Sequence, residues 1–177
     1  MMENQQQYEI GVEVCQLDWG WIGFAWSEQG LLGITLPQPT EAKARQQLSQ
    51  PHGASQPSGL DVAAFTNKLR RYFAGEAVAF DEPLDPRVGT AFQKRVWHLT
   101  RAIPRGETRS YGELAREAGS PRATRAVGQA MARNPWPVVV PCHRVVGQAG
   151  NLTGFGGGLA MKERMLRMEG ALERRET

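Results

Sequence analysis

Between Ser110 and Arg133 the chain stops one helix and starts another within a few residues, and no other stretch constrains the fold as tightly. Ser110-Tyr-Gly-Glu113 is a capping box, in which the hydroxyl and the carboxylate three residues on satisfy each other's backbone amides, so a helix over 111–117 should follow. Gly119 breaks it. Ser120-Pro121 then offers an N-cap with proline in the first turn of a second helix running to about Arg133. Two helices joined by a short glycine-containing turn are the helix-turn-helix arrangement, whose second helix enters a DNA groove; an ordinary helical hairpin carries the same signature. In the second helix Ala123, Ala126, Gly128, Ala130 and Ala132 leave a surface with little bulk, while Arg122, Arg125 and Arg133 supply cations. Such a helix can lie close to a phosphate backbone, with Ser120 at its start available to a phosphate, and tight helix packing is the alternative use of the small residues.

Charge agrees with where those helices lie. The net charge of +3 conceals an asymmetry: residues 1–89 hold six Lys and Arg against eleven Asp and Glu, residues 90–177 fifteen against seven. Polyanion binding belongs to the second half, although solvated surfaces of ordinary proteins are also basic.

A second feature sits beyond the helices. Pro137-Val-Val-Val-Pro-Cys-His-Arg144 sets one cysteine after an apolar run and before two cationic or potentially cationic side chains. Apolar residues should fix the backbone while His143 and Arg144 lower the thiol pKa of Cys142, as in a nucleophile. A lone cysteine after three valines is also a common small core residue.

Around these features the chain reads as a scaffold. Stretches 8–17, 21–26 and 31–36 are apolar runs separated by Asp18-Trp19-Gly20 and Glu28-Gln29-Gly30, which predicts a three-stranded meander containing Cys15 as a structural residue. Thr40 should cap a short helix to Leu48. Residues 50–59 read as an exposed loop that includes His52, and Leu60 onward as a helix stopped at Gly75. Ala77–Phe80 is expected to return as a strand, which would complete a small α/β unit. Phe92–Thr100 reads as an amphipathic helix. Six glycines between 147 and 158 lack the ending of a phosphate loop and suggest a mobile wall over a flat ligand, or a plain surface loop. A last helix, Leu159–Met168, puts Glu169 at its carboxyl end, where the macrodipole disfavours an anion, so Glu169 needs a partner.

With 177 residues, 41% hydrophobic, the chain suffices for one domain or two small ones sharing a core. No secretory signal or membrane-spanning run is apparent, and two cysteines are too few for a disulfide scaffold or a four-cysteine zinc site. A reducing intracellular compartment is expected, cytoplasmic and, in a bacterium or archaeon, nucleoid-associated.

The segment Ile103-Pro-Arg-Gly-Glu-Thr-Arg-Ser-Tyr-Gly-Glu-Leu-Ala115, with Arg125-Ala-Val-Gly128, Asn134-Pro135, Pro141-Cys-His-Arg-Val145, the glycine run ending at Leu159, and Glu169-Gly170, resembles the O6-alkylguanine-DNA alkyltransferases in order and spacing. The resemblance covers roughly residues 92–170. It implies an α/β amino-terminal domain of ribonuclease-H-like topology over 1–89. It also implies a mainly α, winged-helix-like carboxy-terminal domain with a helix-turn-helix over 90–177.

The resemblance also implies roles. Cys142 is the alkyl acceptor, His143 the base acting through a water, Glu169 the carboxylate orienting the imidazole, and Asn134 the brace of the cysteine loop. Tyr111 helps to extrude and bind the base, and Arg125 replaces it in the stack. Gly112, Ser120 and Gln148 meet DNA, while Phe155, Gly156 and Gly157 border the base pocket and Lys162 lies near it. The partner is double-stranded DNA containing O6-alkylguanine, and O4-methylthymine as a further substrate. The protein should be a monomer that can bind DNA cooperatively, with no cofactor, no metal and no membrane. Transfer is direct and irreversible; a non-catalytic sensor of alkylated DNA or a regulator is the alternative.

Overall fold

The computed structural model describes residues 9–48 and 57–172. Strands β1 (Gly11–Leu17), β2 (Gly20–Ser27) and β3 (Gly30–Ile34) pair antiparallel in that order, the meander expected from the alternation of apolar runs and turns. At the second turn Gly30 has φ +132, and a Cβ there would stand 2.3 Å from the Pro83 carbonyl oxygen, so glycine lets the two segments meet. On β2, Ile22, Phe24, Ala25 and Trp26 are all 0% exposed, because both faces of this central strand are covered. Helix α1 (Glu41–Gln47) and the following Leu48 pack over Gly23; helix α2 (Val62–Phe73) sets Phe65 edge-on to Phe24 at 4.9 Å. Each fully buried side chain of this size contributes about 1.5–3 kcal/mol.

Both helices start on side-chain caps, Thr40 accepting from the Lys43 amide and Asp61 from the Ala64 amide. Gly75, at φ +95, ends α2. One expectation for this half fails. Ala77–Phe80 forms no strand: Arg105 takes the Gly75 and Glu76 carbonyls and Arg101 those of Phe80 and Glu82, so arginine donors replace a strand neighbour. The extended pairing comes later, as a parallel bridge from Leu84 to Leu31. Most of the expected exposed loop 50–59, His52 included, lies outside the described residues. Of its end, Pro57 is buried and its carbonyl accepts from Trp26 Nε1 at 2.9 Å.

The second half runs α3 (Ala91–Arg101), β4 (Arg109–Ser110), α4 (Tyr111–Glu117), α5 (Thr124–Ala132), β5 (Val145–Val146) and α6 (Leu159–Glu169). The Ser110 and Glu113 capping box starts α4 as anticipated. The second helix starts later than expected. The Ser120 carbonyl accepts from the Ala123 amide, closing a turn over Pro121 and Arg122, so α5 begins at Thr124 and has no side-chain cap. Helix α3 packs on both α4 and α5, and β4 pairs with β5 in parallel, tying the start of α4 to the segment just after Cys142.

One buried cluster contains residues of both halves. The Ile34 amide donates to the Pro135 carbonyl and Trp136 Nε1 to the Leu31 carbonyl, both at 2.8 Å, while Trp136 meets Trp97 edge-on at 5.3 Å. Strand β3 thus supports the segment leading to Cys142. The result is a mixed α/β fold in which, among the described residues, no helix is long and apolar enough to cross a membrane.

Candidate active site and nucleic-acid interface

The valine run preceding Cys142 is not regular structure. Val138 is buried at φ +78, a region that a β-branched residue occupies only under constraint, at a cost of about 1–3 kcal/mol. Asn134 supplies part of that constraint. Its Nδ2 donates to the Val140 carbonyl at 2.8 Å and its Oδ1 accepts from the Trp136 amide at 3.0 Å. Cys142–Arg144 then forms a single 3-10 turn, with the Cys142 amide donating to the Val140 carbonyl at 2.7 Å. Backbone hydrogen bonds and apolar packing hold the sulfur in place.

Behind the cysteine lies a closed polar cluster. His143 is 0% exposed, and its Nε2 is 3.0 Å from Glu169 Oε1. Arg144 donates to both Glu169 oxygens, Nε to Oε2 and Nη2 to Oε1, each at 2.8 Å, and the Tyr72 hydroxyl donates to Oε1 at 2.7 Å. These are the partners Glu169 needs at its helix end. Burial works to raise the Glu169 carboxyl, but hydrogen bonds from Arg144 and His143 outweigh it and hold the pKa well below the usual carboxylate range. An ionised carboxylate only accepts, so the imidazole proton sits on Nε2 and Nδ1 carries the lone pair. Nδ1 is buried and makes no hydrogen bond to any described residue. Burial also pushes the imidazolium pKa down, against the pull of Glu169, so His143 rests neutral and able to accept a proton.

This arrangement corrects the expectation that the neighbouring cations make a thiolate. The Arg144 guanidinium is spent on Glu169 and on the Ile103 carbonyl, 2.6 Å away. Burial of Cys142 pushes its thiol pKa above the ordinary value, opposed by Asn134 and by the charge of Lys162. The resting group is a thiol.

Cys142 lines a pocket of about 460 Å³ with Tyr111, Gly128, Met131, Ala132 and Thr153–Gly156. Beside it runs a groove of about 1090 Å³ between the start of α4, Thr124, Arg125 and Gly128 of α5, and residues 146–150. Tyr111 and Gly128 line both. A Cβ on Gly128 would meet nothing within 4 Å, so this small residue keeps a passage open instead of serving helix packing, the role that Ala130 does fill at 1% exposure.

The structure distributes the residues expected in the site. Gly112, Arg125 and Gln148 line the groove, and Phe155 and Gly156 the pocket. Others act from behind. Gly157 does not line the pocket: a Cβ there would be 2.6 Å from Met161 Sδ and 3.0 Å from Leu36 Cδ1, so its bareness seats the loop against α6. Lys162 is 0% exposed beneath the loop, Nζ donating to the Val145 and Thr153 carbonyls at 2.6 and 2.8 Å. Burial lowers its pKa to about 8, against the pull of Cys142. Ser120 is half-buried in the interhelical turn and does not line the groove.

Tyr72, Met131 and Gly128 were not among the expected site residues. Tyr72 falls within the helix read from Leu60 to Gly75, and only the long-range contact between α2 and α6 distinguishes it. A buried tyrosine where phenylalanine would pack was the available signal, since its hydroxyl demands a partner. Among the described residues no group of His, Cys, Asp and Glu could hold a metal ion.

Comparison with known proteins agrees with this geometry. Residues 91–171 match the DNA binding domain of the 6-O-methylguanine DNA methyltransferases. The methylated-DNA–protein-cysteine methyltransferase of Methanosarcina acetivorans is 53% identical over 106 residues, 60% of this chain and 67% of the relative. The crystal structure of the Mycobacterium tuberculosis O6-methylguanine methyltransferase superposes with a TM-score of 0.73 at 37% identity, over 94% of this chain and 96% of that one. The Mycobacterium tuberculosis OGT in complex with DNA gives 0.75 at 39% identity, over 90% and 92%. On its motifs, its fold and these likenesses, the chain belongs to the methylated-DNA–protein-cysteine methyltransferase family.

Proposed function

We infer that this chain repairs DNA directly, by moving the alkyl group of an O6-alkylguanine to the sulfur of Cys142. The observation that carries the reading is the cysteine on a pocket that joins a helix-turn-helix groove, with a neutral, carboxylate-held histidine next in sequence. In duplex DNA the alkylated oxygen lies inside the stack, so the nucleotide must turn out into the pocket, at an expense of a few kcal/mol that a poorly pairing lesion reduces.

His143 Nδ1 takes the thiol proton through a bridging water, and Glu169 stabilises the imidazolium that results. The sulfur then attacks the alkyl carbon. The S–C bond forms as the C–O6 bond breaks, the electron pair passes to O6, and the departing guanine takes a proton from water, which regains one from the His143 imidazolium. We assign Tyr111 to hydrogen-bond that base; burial raises its pKa and keeps its hydroxyl protonated at the pocket wall, which supports the assignment. The product is a thioether, a poor leaving group, so each molecule acts once.

In the same reading Arg125 fills the gap left in the stack, Asn134 braces the cysteine loop, Gly112 and Gln148 meet the DNA backbone, and Lys162 and Gly157 support the wall formed by Phe155 and Gly156. Residues 1–89 form a scaffold domain of ribonuclease-H-like topology; residues 90–177 form a winged-helix-like domain, a reading to which the β4–β5 pair lends support. The protein works as a monomer on double-stranded DNA in the cytoplasm, can bind cooperatively, and accepts O4-methylthymine as a second substrate.

Incubation with a duplex bearing O6-methylguanine tests the reading. One methyl group should appear on the Cys142 peptide and the reaction should stop at one equivalent. Binding with no change in mass would instead identify a sensor or regulator.

A further inference from the structure

We propose that Tyr72, from the amino-terminal half, is a positioning residue for the transfer, holding His143 as the Nε2-protonated tautomer so that Nδ1 is free to take the cysteine proton. The proposal rests on the functional reading above and adds to it a residue far from the matched motifs.

The Tyr72 ring has little freedom. It is 1% exposed on α2, edge-on to Phe73 at 5.1 Å and to Phe80 at 5.7 Å. That clamp delivers its hydroxyl into the polar cluster, 2.7 Å from Glu169 Oε1 and 3.3 Å from His143 Nε2. A phenol has one proton, and it goes to the carboxylate, the stronger acceptor. The oxygen lone pairs that remain face Nε2.

Two acceptors, Glu169 Oε1 and the Tyr72 oxygen, therefore surround the same ring nitrogen, and a proton there satisfies both. In the other tautomer the Nε2 lone pair would face a carboxylate oxygen, and Nδ1 would be protonated and unable to act as a base. Tyr72 also anchors Glu169, at the same Oε1 that accepts from Arg144 Nη2. The other charged groups near the cluster are Arg144 in the 3-10 turn, Lys162 on α6 and Arg105 in the loop after α3, whose guanidinium binds the Gly75 and Met168 carbonyls. None of them supplies an acceptor to the imidazole, so replacing the phenol leaves their charges in place.

The variant Tyr72→Phe keeps the packing and removes the hydroxyl. Three quantities are measured on native and variant full-length protein: the dissociation constant for an O6-methylguanine duplex, the single-turnover transfer rate at saturating duplex across pH, and the nitrogen-15 chemical shifts of the His143 ring. The variant should bind DNA within about twofold of native, yet transfer about tenfold more slowly, the scale of one buried hydrogen bond to a charged group. Its pH profile should be displaced and its ring shifts should report a tautomer mixture. Unchanged rate and ring shifts would overturn the proposal, and so would a slower rate explained by a smaller folded fraction alone. If the native protein transfers nothing, the functional reading fails while the ring shifts still decide the tautomer. Should the phenylalanine variant not fold, a fluorinated tyrosine at position 72, a weaker acceptor of nearly the same shape, decides: displaced ring shifts with a slower rate support the proposal, and native values of both overturn it.

Discussion

Asp85 and Glu169 are both buried against an arginine, yet they belong to clusters with opposite uses. Asp85 accepts from the Ser27 hydroxyl at 2.6 Å and from the Arg87 backbone amide and Nε at 2.9 and 2.8 Å. Burial works to raise its pKa, and these donors outweigh it, bringing it to about 2. It ties β2 to the segment following α2 and includes no nucleophile. Glu169 has similar donors, but one of them is an imidazole whose other nitrogen is buried and unpaired with any described residue, next in sequence to a cysteine on an open pocket. A buried ion pair therefore says little about chemistry by itself. The cluster becomes a site when it leaves one basic atom unspent beside a nucleophile.

The largest test of that contrast removes the nucleophile. Cys142→Ala should abolish methyl transfer to the protein, read by mass spectrometry, and leave lesion-DNA binding intact. Loss of binding as well would mean that the sulfur also organises the groove.

Next come the two carboxylates. Glu169→Gln should slow single-turnover transfer by about 100-fold, the scale of general-base catalysis, and Asp85→Asn should leave the rate per folded molecule unchanged. In denaturant titrations Glu169→Gln should be about 3 kcal/mol less stable, because Arg144 is left largely buried without its anion, and Asp85→Asn should lose less, because Arg87 is exposed to water. If Asp85→Asn slows transfer as much as Glu169→Gln, the distinction between the clusters collapses.

The pH dependence sharpens it further. Both carboxyls have depressed pKa values in the folded protein, so their stabilisation is present above the unfolded carboxylate range of about 4 and is lost as the pH falls below it. Each variant should therefore lose less stability than native on acidification. Transfer should behave differently: with the thiol pKa raised by burial, its rate should climb through neutral pH into the alkaline range, and a flat profile there would contradict a protonated resting cysteine.

The smallest effect belongs to the groove. Arg125→Ala should weaken binding to a lesion duplex by about tenfold at low salt, with transfer at saturating DNA much less affected, and the native affinity should fall as salt is added. An equal loss of binding in Cys142→Ala and Arg125→Ala would contradict the separation of groove from pocket.

Local chemistry in the sequence was enough for much of this. The capping box at Ser110 set the start of α4, glycines at 20 and 30 punctuated the meander, and Glu169 at a helix end announced that it needed a partner. Where reading failed, a distant group had intervened. Ala77–Phe80 looked like a strand until Arg101 and Arg105 took the carbonyls around it. Ser120 looked like a cap until its carbonyl closed a turn. Arg144 looked like the cation beside the sulfur until Glu169, distant in the chain, claimed it.

By itself, then, the sequence determined the meander, the order of the helices, the Pro-Cys-His-Arg stretch and the family, because capping, turn chemistry and motif identity are properties of neighbours along the chain. Only the tertiary structure decided that Cys142 rests as a thiol, that burial keeps His143 neutral beside Glu169, and that Gly128 opens the groove onto the pocket. Burial and hydrogen-bond partners set proton positions, and both depend on which surfaces meet across the core, a fact that no local pattern of residues encodes.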